Sequence, residues 1–327
     1  MNFENDTTAL EAAKSGVALY DRSHWGRIEV SDADRIRFLH NQSTNDFKIR
    51  KPGEGCDTVF VTSTARTIDL ASAYLLEDSV LLLVSPNLTE KLMTFLDRYI
   101  FFADNVKLVD VTPQTATFSL VGSGSHGLLE KLGAAEIIGQ PYASHRLINL
   151  AGQDVRVAVG SGLATEGYIL ITQVDHSSAL QKSLIEAGAV TMSDRAWEQL
   201  RIEQGRPMPD HELTDDYNPL EAGLWNTVSF NKGCYIGQET IARLDTYNGV
   251  KQQLWGVKLK APVEAGTIVT VGEEKVGKLT SVVETEAGAI GLAYVRTKAG
   301  GAGLSVQISG NQTELLDLPF LTREKQS

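Results

Sequence analysis

After about residue 248 the helical periodicity of this 327-residue chain stops, and that break constrains the fold more than any other feature. Leu254 to Leu259, Thr267 to Val271, Lys275 to Val283, Ala289 to Val295 and Leu304 to Ile308 are short apolar runs separated by Gly-containing turns. Closely spaced short strands of this kind predict a small barrel or sandwich. The segment Ala299 to Gly303 reads as a hairpin tip, because a phosphate-cradling loop needs a helix after it and none follows.

Upstream of the break the pattern is mixed. Ser31 and Asp32 offer a cap for a helix through Ile36 and Leu39, and Ile68 to Leu76 with Leu81 to Val84 reads as a hairpin. Pro86 opens a helix that places Leu88, Leu92, Phe95, Leu96 and Tyr99 on one face. Hairpins interleaved with helices predict an antiparallel or mixed α+β sheet, since a purely parallel sheet needs a crossover at every step. Ser193 to Gln204 is a helix capped by Ser193 and ended by Gly205. The stretch Arg206 to Asn231 then runs irregular through Pro207, Pro209 and Pro219, and its Tyr217, Trp225 and Phe230 favour an ordered functional loop. Two domains are expected, 1–247 and 248–327.

Hydrophobic residues at 42% and charged residues at 22% place the chain with folded, water-soluble proteins. No apolar run reaches membrane-spanning length, and MNFENDTTALEAAKSG lacks a basic segment followed by an apolar one, so a cytoplasmic protein with no membrane partner is expected. The net charge of −11 argues against direct binding of nucleic acid over a broad surface. Six scattered histidines and two distant cysteines, Cys56 and Cys234, supply neither ligand spacing for a metal nor an expected disulfide.

The most chemically pointed run is Lys232-Gly233-Cys234-Tyr235-Ile236-Gly237-Gln238-Glu239. A cation next to a thiol favours the thiolate, the reactive form, and two flanking glycines let backbone come close to a ligand or partner. The bland alternative is a small buried cysteine in a tight turn. Glu203 lies in the last turn of its helix, where the helix dipole disfavours a carboxylate, so a ligand with two adjacent N–H donors would account for it, as would plain solvation. Tyr168, in Glu166-Gly167-Tyr168, begins a strand or sits in a turn.

Taken together these residues resemble the YgfZ-type folate-binding proteins, relatives of the glycine-cleavage T-protein (GcvT, aminomethyltransferase). Lys232 to Glu239 matches the KGCYxGQE signature of that group, and Phe38-Leu39 through Asp46, Glu166 to Tyr168, Arg201 to Gly205 and Pro219 to Gly223 follow in the same order. The resemblance implies an α+β, GcvT-like folate-binding domain with a C-terminal small β-barrel. It implies tetrahydrofolate as cofactor, and a role in assembling or repairing iron–sulfur clusters in partner enzymes, with indirect consequences for tRNA modification. Residue by residue it implies Glu203 as the pterin-holding carboxylate and Cys234, with Lys232, as the reactive pair. Tyr168 and Trp225 are expected to flank the ligand, and Arg206 and Arg243, with Lys232, to meet its glutamyl tail. The T-protein carries paired aspartates where Thr64 to Leu70 offers Asp69 alone, so aminomethyl transfer through Asp69 is the alternative reading and turnover itself stays open.

Overall fold

The computed structural model describes residues 3–325, which contacts divide into two compact units. Among the described residues the first comprises 3–58 and 70–197, and the second 59–69 and 198–325.

In the first unit a six-stranded sheet runs in the order Val190–Met192, Ala18–Asp21, Thr115–Val121, Gly167–Gln173, Gln153–Val159, His145–Leu150. Only the Ala18–Asp21 pairing with Val190–Met192 is parallel among the described pairs of this sheet. Leu19, Phe118, Leu120, Val157 and Leu170 from one face pack with Leu129, Leu180 and Leu184 of the covering helices, which makes one continuous core. A second sheet orders Gly55–Val61, Thr67–Leu75, Ser79–Val84, Gly26–Ser31 and Lys107–Asp110. Arg22 is almost fully buried, its guanidinium 3.6 Å from the Trp25 ring centre and donating to Ser119 Oγ at 3.3 Å.

In the second unit the strands Gln252–Leu259, Ile268–Val271, Glu274–Thr285, Gly288–Arg296, Ser305–Ile308 and Asn311–Glu314 form an antiparallel sheet. Bulges at Val269/Thr270 and Leu279/Ser281 tighten its twist until it curls. The two ends then meet: Gly256 and Leu316 exchange backbone hydrogen bonds of 2.9 and 2.8 Å. Val257, Val269, Val276, Leu279, Val295 and Ile308 fill the interior. The expected α+β architecture with a small, closed-up β domain at the C-terminal end is therefore the architecture observed.

The helix expected from Ser31 starts later, at Arg35. Ser31 still pairs with Ser79 in the strand, and Asp32 turns the chain in a left-handed conformation (φ +75°), so neither is free to cap.

Candidate functional site

The cysteine run folds as an irregular segment leading into the helix Gln238–Thr246. Gly237 caps that helix in a left-handed conformation (φ +81°), and a Cβ there would lie 2.8 Å from the Thr62 carbonyl oxygen. Glycine is the residue that fits both demands. The Tyr235 N–H donates to Gln238 Oε1 at 3.0 Å, which ties the segment to the first helical turn. Beneath it, Ala65, Leu220, Val228 and Ile241 form a small core edged by Trp225, Phe230, Tyr235, Leu244 and Val250.

On this platform Cys234 is exposed, whereas Cys56 is buried. Lys232 extends its ammonium over the Tyr235 ring, 4.6 Å from the centre. Burial raises the Tyr235 hydroxyl pKa well above its ordinary value, so the ring meets that cation as a neutral phenol.

Glu203 occupies the last turn of the helix Asp194–Gln204, half-buried, with Oε1 accepting from Gln199 Nε2 at 2.9 Å. Each carboxylate oxygen has two acceptor sites, so that bond leaves capacity for a ligand's donors. Gly205 ends the helix at φ +85°, and Leu318 approaches so closely that a Cβ would lie 2.8 Å from its own Cβ. The arm carrying Leu318 is pinned to the helix end by Phe320 N donating to the Gln204 carbonyl at 2.9 Å.

The other expected site residues fall in different settings. Asp69 is fully buried in the strand Thr67–Leu75, just after Thr67, whose N–H donates to the Tyr217 carbonyl at 3.0 Å. Trp225 donates its indole N–H to the Leu220 carbonyl at 3.1 Å and lies tilted against Phe230, so it acts first as a wall of the small core. Arg243 is exposed on the helix Gln238–Thr246. Arg206 is buried with its guanidinium over Phe320, and its carbonyl accepts from Arg201, a packed position rather than a solvent-facing cation. Tyr168 lies in the core of the first unit, edge-on to His126, and burial followed by the charge of Glu166 raises its pKa. Its ring packs among core side chains instead of presenting a face to open space, in a strand whose residues 167–172 are all buried.

Two groups escaped the sequence reading. Arg201, quoted only as part of a motif, is fully buried and donates to Glu212, Glu198, Ser281 and the Arg206 carbonyl. Glu221 is nearly buried and accepts from the Asn218 N–H at 3.2 Å, while Asn218 Oδ1 caps Leu220 and Glu221. An Asn-Pro pair followed by Glu at the third position is the sequence signal of that reciprocal turn.

The family description "GCVT N-terminal domain" matches residues 3–232. The chain belongs to that family. In this GCVT-family chain residues 252–316 further match the CAF17 C-terminal beta-barrel domain. A chloroplastic protein of Arabidopsis thaliana, named as a candidate transferase, is 46% identical over 326 residues, 99% of this chain and 76% of the relative. An aminomethyltransferase of Halalkalibacterium halodurans is 27% identical, covering 94% of this chain and 86% of its own. The crystal structure of the glycine cleavage system aminomethyltransferase T from Bartonella henselae superposes with a TM-score of 0.86 at 18% identity, over 98% of this chain and 91% of that one, and so shares the fold. Among the described residues no helix is long and apolar enough to cross a membrane, and no group of three or more His, Cys, Asp or Glu side chains is arranged to hold a metal ion.

Proposed function

We propose that this chain is a tetrahydrofolate-binding accessory protein that serves iron–sulfur cluster assembly or repair in partner proteins, through Cys234. The observation that carries the reading is the placement of Cys234, exposed on a segment held by Gly237 and Gln238, whereas the other cysteine, Cys56, is buried. A structural thiol tends to be buried, whereas one presented on an ordered turn is available to a partner. Membership in a folate-binding family supports the cofactor, and the half-buried Glu203 carboxylate has acceptor capacity for the N–H edge of a pterin. Tetrahydrofolate would supply one-carbon carrier chemistry at its own nitrogens, and Glu203 would hold its pterin edge. Two free cysteines accord with a reducing compartment, and we assign the cytoplasm.

The test is to compare wild type with Cys234→Ala for the activity of iron–sulfur enzymes in cells, with and without folate depletion. Equal activities in wild type and variant, in both conditions, would reject the accessory role.

A second reading, folate-dependent aminomethyl transfer, is favoured by the names of the relatives and by a buried Asp69. Reconstitution with lipoyl carrier protein, glycine decarboxylase and tetrahydrofolate separates the two. Under the accessory reading no methylene-tetrahydrofolate forms. Robust formation, lost in Asp69→Asn and kept in Cys234→Ala, would make the chain an aminomethyltransferase.

A further inference from the structure

The described chain ends in an arm, residues 316–325, that reaches both the end of the Glu203 helix and the cysteine segment. Leu318 packs on Gly256 as well as on Gly205, and Leu321 packs on Gly223. A Cβ on Gly256 or Gly223 would lie 2.8 or 2.9 Å from the leucine. Thr322 donates its N–H to the Gly223 carbonyl at 2.7 Å, and its hydroxyl accepts from the Asn226 N–H at 3.1 Å. These bonds fix the loop 220–226, whose Leu220 and Trp225 belong to the small core under the cysteine segment. Arg323 then lies over the Trp255 ring at 3.6 Å and donates to the Leu254 carbonyl at 2.8 Å. Lys325 ion-pairs with Asp245 on the helix Gln238–Thr246 and sets its ammonium 4.6 Å from the centre of the Phe230 ring, another wall of that core.

The hold weakens toward the tip. Phe320 and Thr322 are joined to their neighbours by backbone hydrogen bonds, and Leu321 is buried. The Lys325 side chain is 47% exposed, and an ion pair that open is worth little against solvent and side-chain entropy. The last anchor is thus the part able to open while the rest stays docked, two states close in free energy.

We propose that this arm couples the two halves of the candidate site: a ligand held by Glu203 favours the docked arm, and the docked arm steadies the segment that presents Cys234. The coupling rests on the folate-binding reading above for the identity of that ligand, tetrahydrofolate. The mechanical link is short. Glu203 adjoins Gln204, whose carbonyl accepts from the Phe320 N–H at 2.9 Å, and the same arm reaches the helix after Cys234 through Lys325. A ligand that fixes the helix end keeps Leu318 and Phe320 seated, so it acts on the state of the arm and not only on its own contacts.

The experiment is hydrogen exchange of the full chain read by peptide mass, beside calorimetric titration with tetrahydrofolate. Lys325→Glu should speed exchange at residues 232–246 by about three- to tenfold, because a like charge then faces Asp245, while exchange in the first unit and the melting temperature stay at wild-type values. Lys325→Arg should keep wild-type exchange. Gly205→Ala, which pushes Leu318 aside at the far end of the arm, should speed the same segment, and that effect should shrink in the Lys325→Glu background. Saturating tetrahydrofolate should slow the segment in wild type and not in Lys325→Glu. Unchanged exchange in Lys325→Glu, additive effects in the double variant, or a folate that binds without slowing the segment each overturns the coupling and leaves the folate reading standing. Loss of protection throughout Lys325→Glu with a lower melting temperature would make the contact a general support and also overturns it. Absence of folate binding overturns the folate reading and the ligand half of the coupling with it; additive variants would then remove the rest.

Discussion

The Arg201 guanidinium donates to Glu212 Oε2 at 3.1 Å with both side chains fully buried. Glu212 in turn accepts from the hydroxyls of Thr280 and Ser281, each at 2.6 Å, and its carbonyl accepts from Tyr294 Oη at 2.9 Å. Burial works against the Arg201 charge, yet Glu212 and then Glu198 outweigh it and hold the guanidinium pKa above its ordinary value. Arg201→Met should destabilise the protein by about 3–5 kcal/mol, because it strands a buried carboxylate. Adding Glu212→Leu should recover part of that loss. Urea denaturation at neutral pH measures both, and a single-variant cost below about 1 kcal/mol would mean that Glu212 is not left as an uncompensated buried charge.

Gly237→Ala should cost about 1–3 kcal/mol, since alanine is strained at φ +81° and its Cβ would press on the Thr62 carbonyl. Limited proteolysis should find the cysteine segment cut faster in the variant. Wild-type protection would contradict the fit.

Cys234→Ala should change stability by no more than about 0.5 kcal/mol, as exposed substitutions do. A thiol-alkylating reagent, read by peptide mass, should label Cys234 before Cys56. Labelling in the reverse order would put the reactive thiol elsewhere.

Glu203→Ala should weaken tetrahydrofolate binding by about one to two decades, the loss of a charge-assisted contact of roughly 1.5–3 kcal/mol. Unchanged affinity by calorimetry would dismiss Glu203 as the pterin acceptor.

His145 adds a pH dependence. Burial first, and then the charge of Arg156, lower its pKa from 6.5 to about 4. A guanidinium only donates, so His145 Nδ1, 3.0 Å from Arg156 Nη1, is an acceptor in the neutral ring. With the folded pKa below the unfolded one, the unfolded chain binds the proton more readily between the two values. Stability is therefore full above about pH 6.5 and falls by about 3 kcal/mol as the pH drops toward 4. Melting curves across that window should be steeper for wild type than for His145→Gln; parallel curves would remove His145 as the source.

Much of the fold was legible where local signals agree with one another. Ser193 does cap its helix, its hydroxyl accepting from the Ala196 N–H at 3.1 Å, and Gly205 does take the left-handed turn at the end. The strands after residue 248 showed through their Gly-bounded spacing, but Asn311–Glu314 did not, since a short polar strand carries no apolar pattern. The grouping of residues 59–69 with 198–325 has no local signature, because it depends on contacts between segments far apart in sequence. At the candidate site, the order Lys232-Cys234-Tyr235 could not say that the ammonium would rest on the tyrosine ring. Nor could composition reveal that Arg206 and Tyr168 would be enclosed, since burial is decided by partners such as Phe320 and His126.

The meeting of Gly256 with Leu316 bears on how the protein behaves in a crowded solution. By closing the ladder it occupies backbone groups at both margins of the C-terminal sheet that would otherwise offer a template to another chain. A chain cut after Glu314 would keep every one of the six strands and lose that closure, and its expected failing is not unfolding but self-association, growing with concentration, as one opened margin recruits the next.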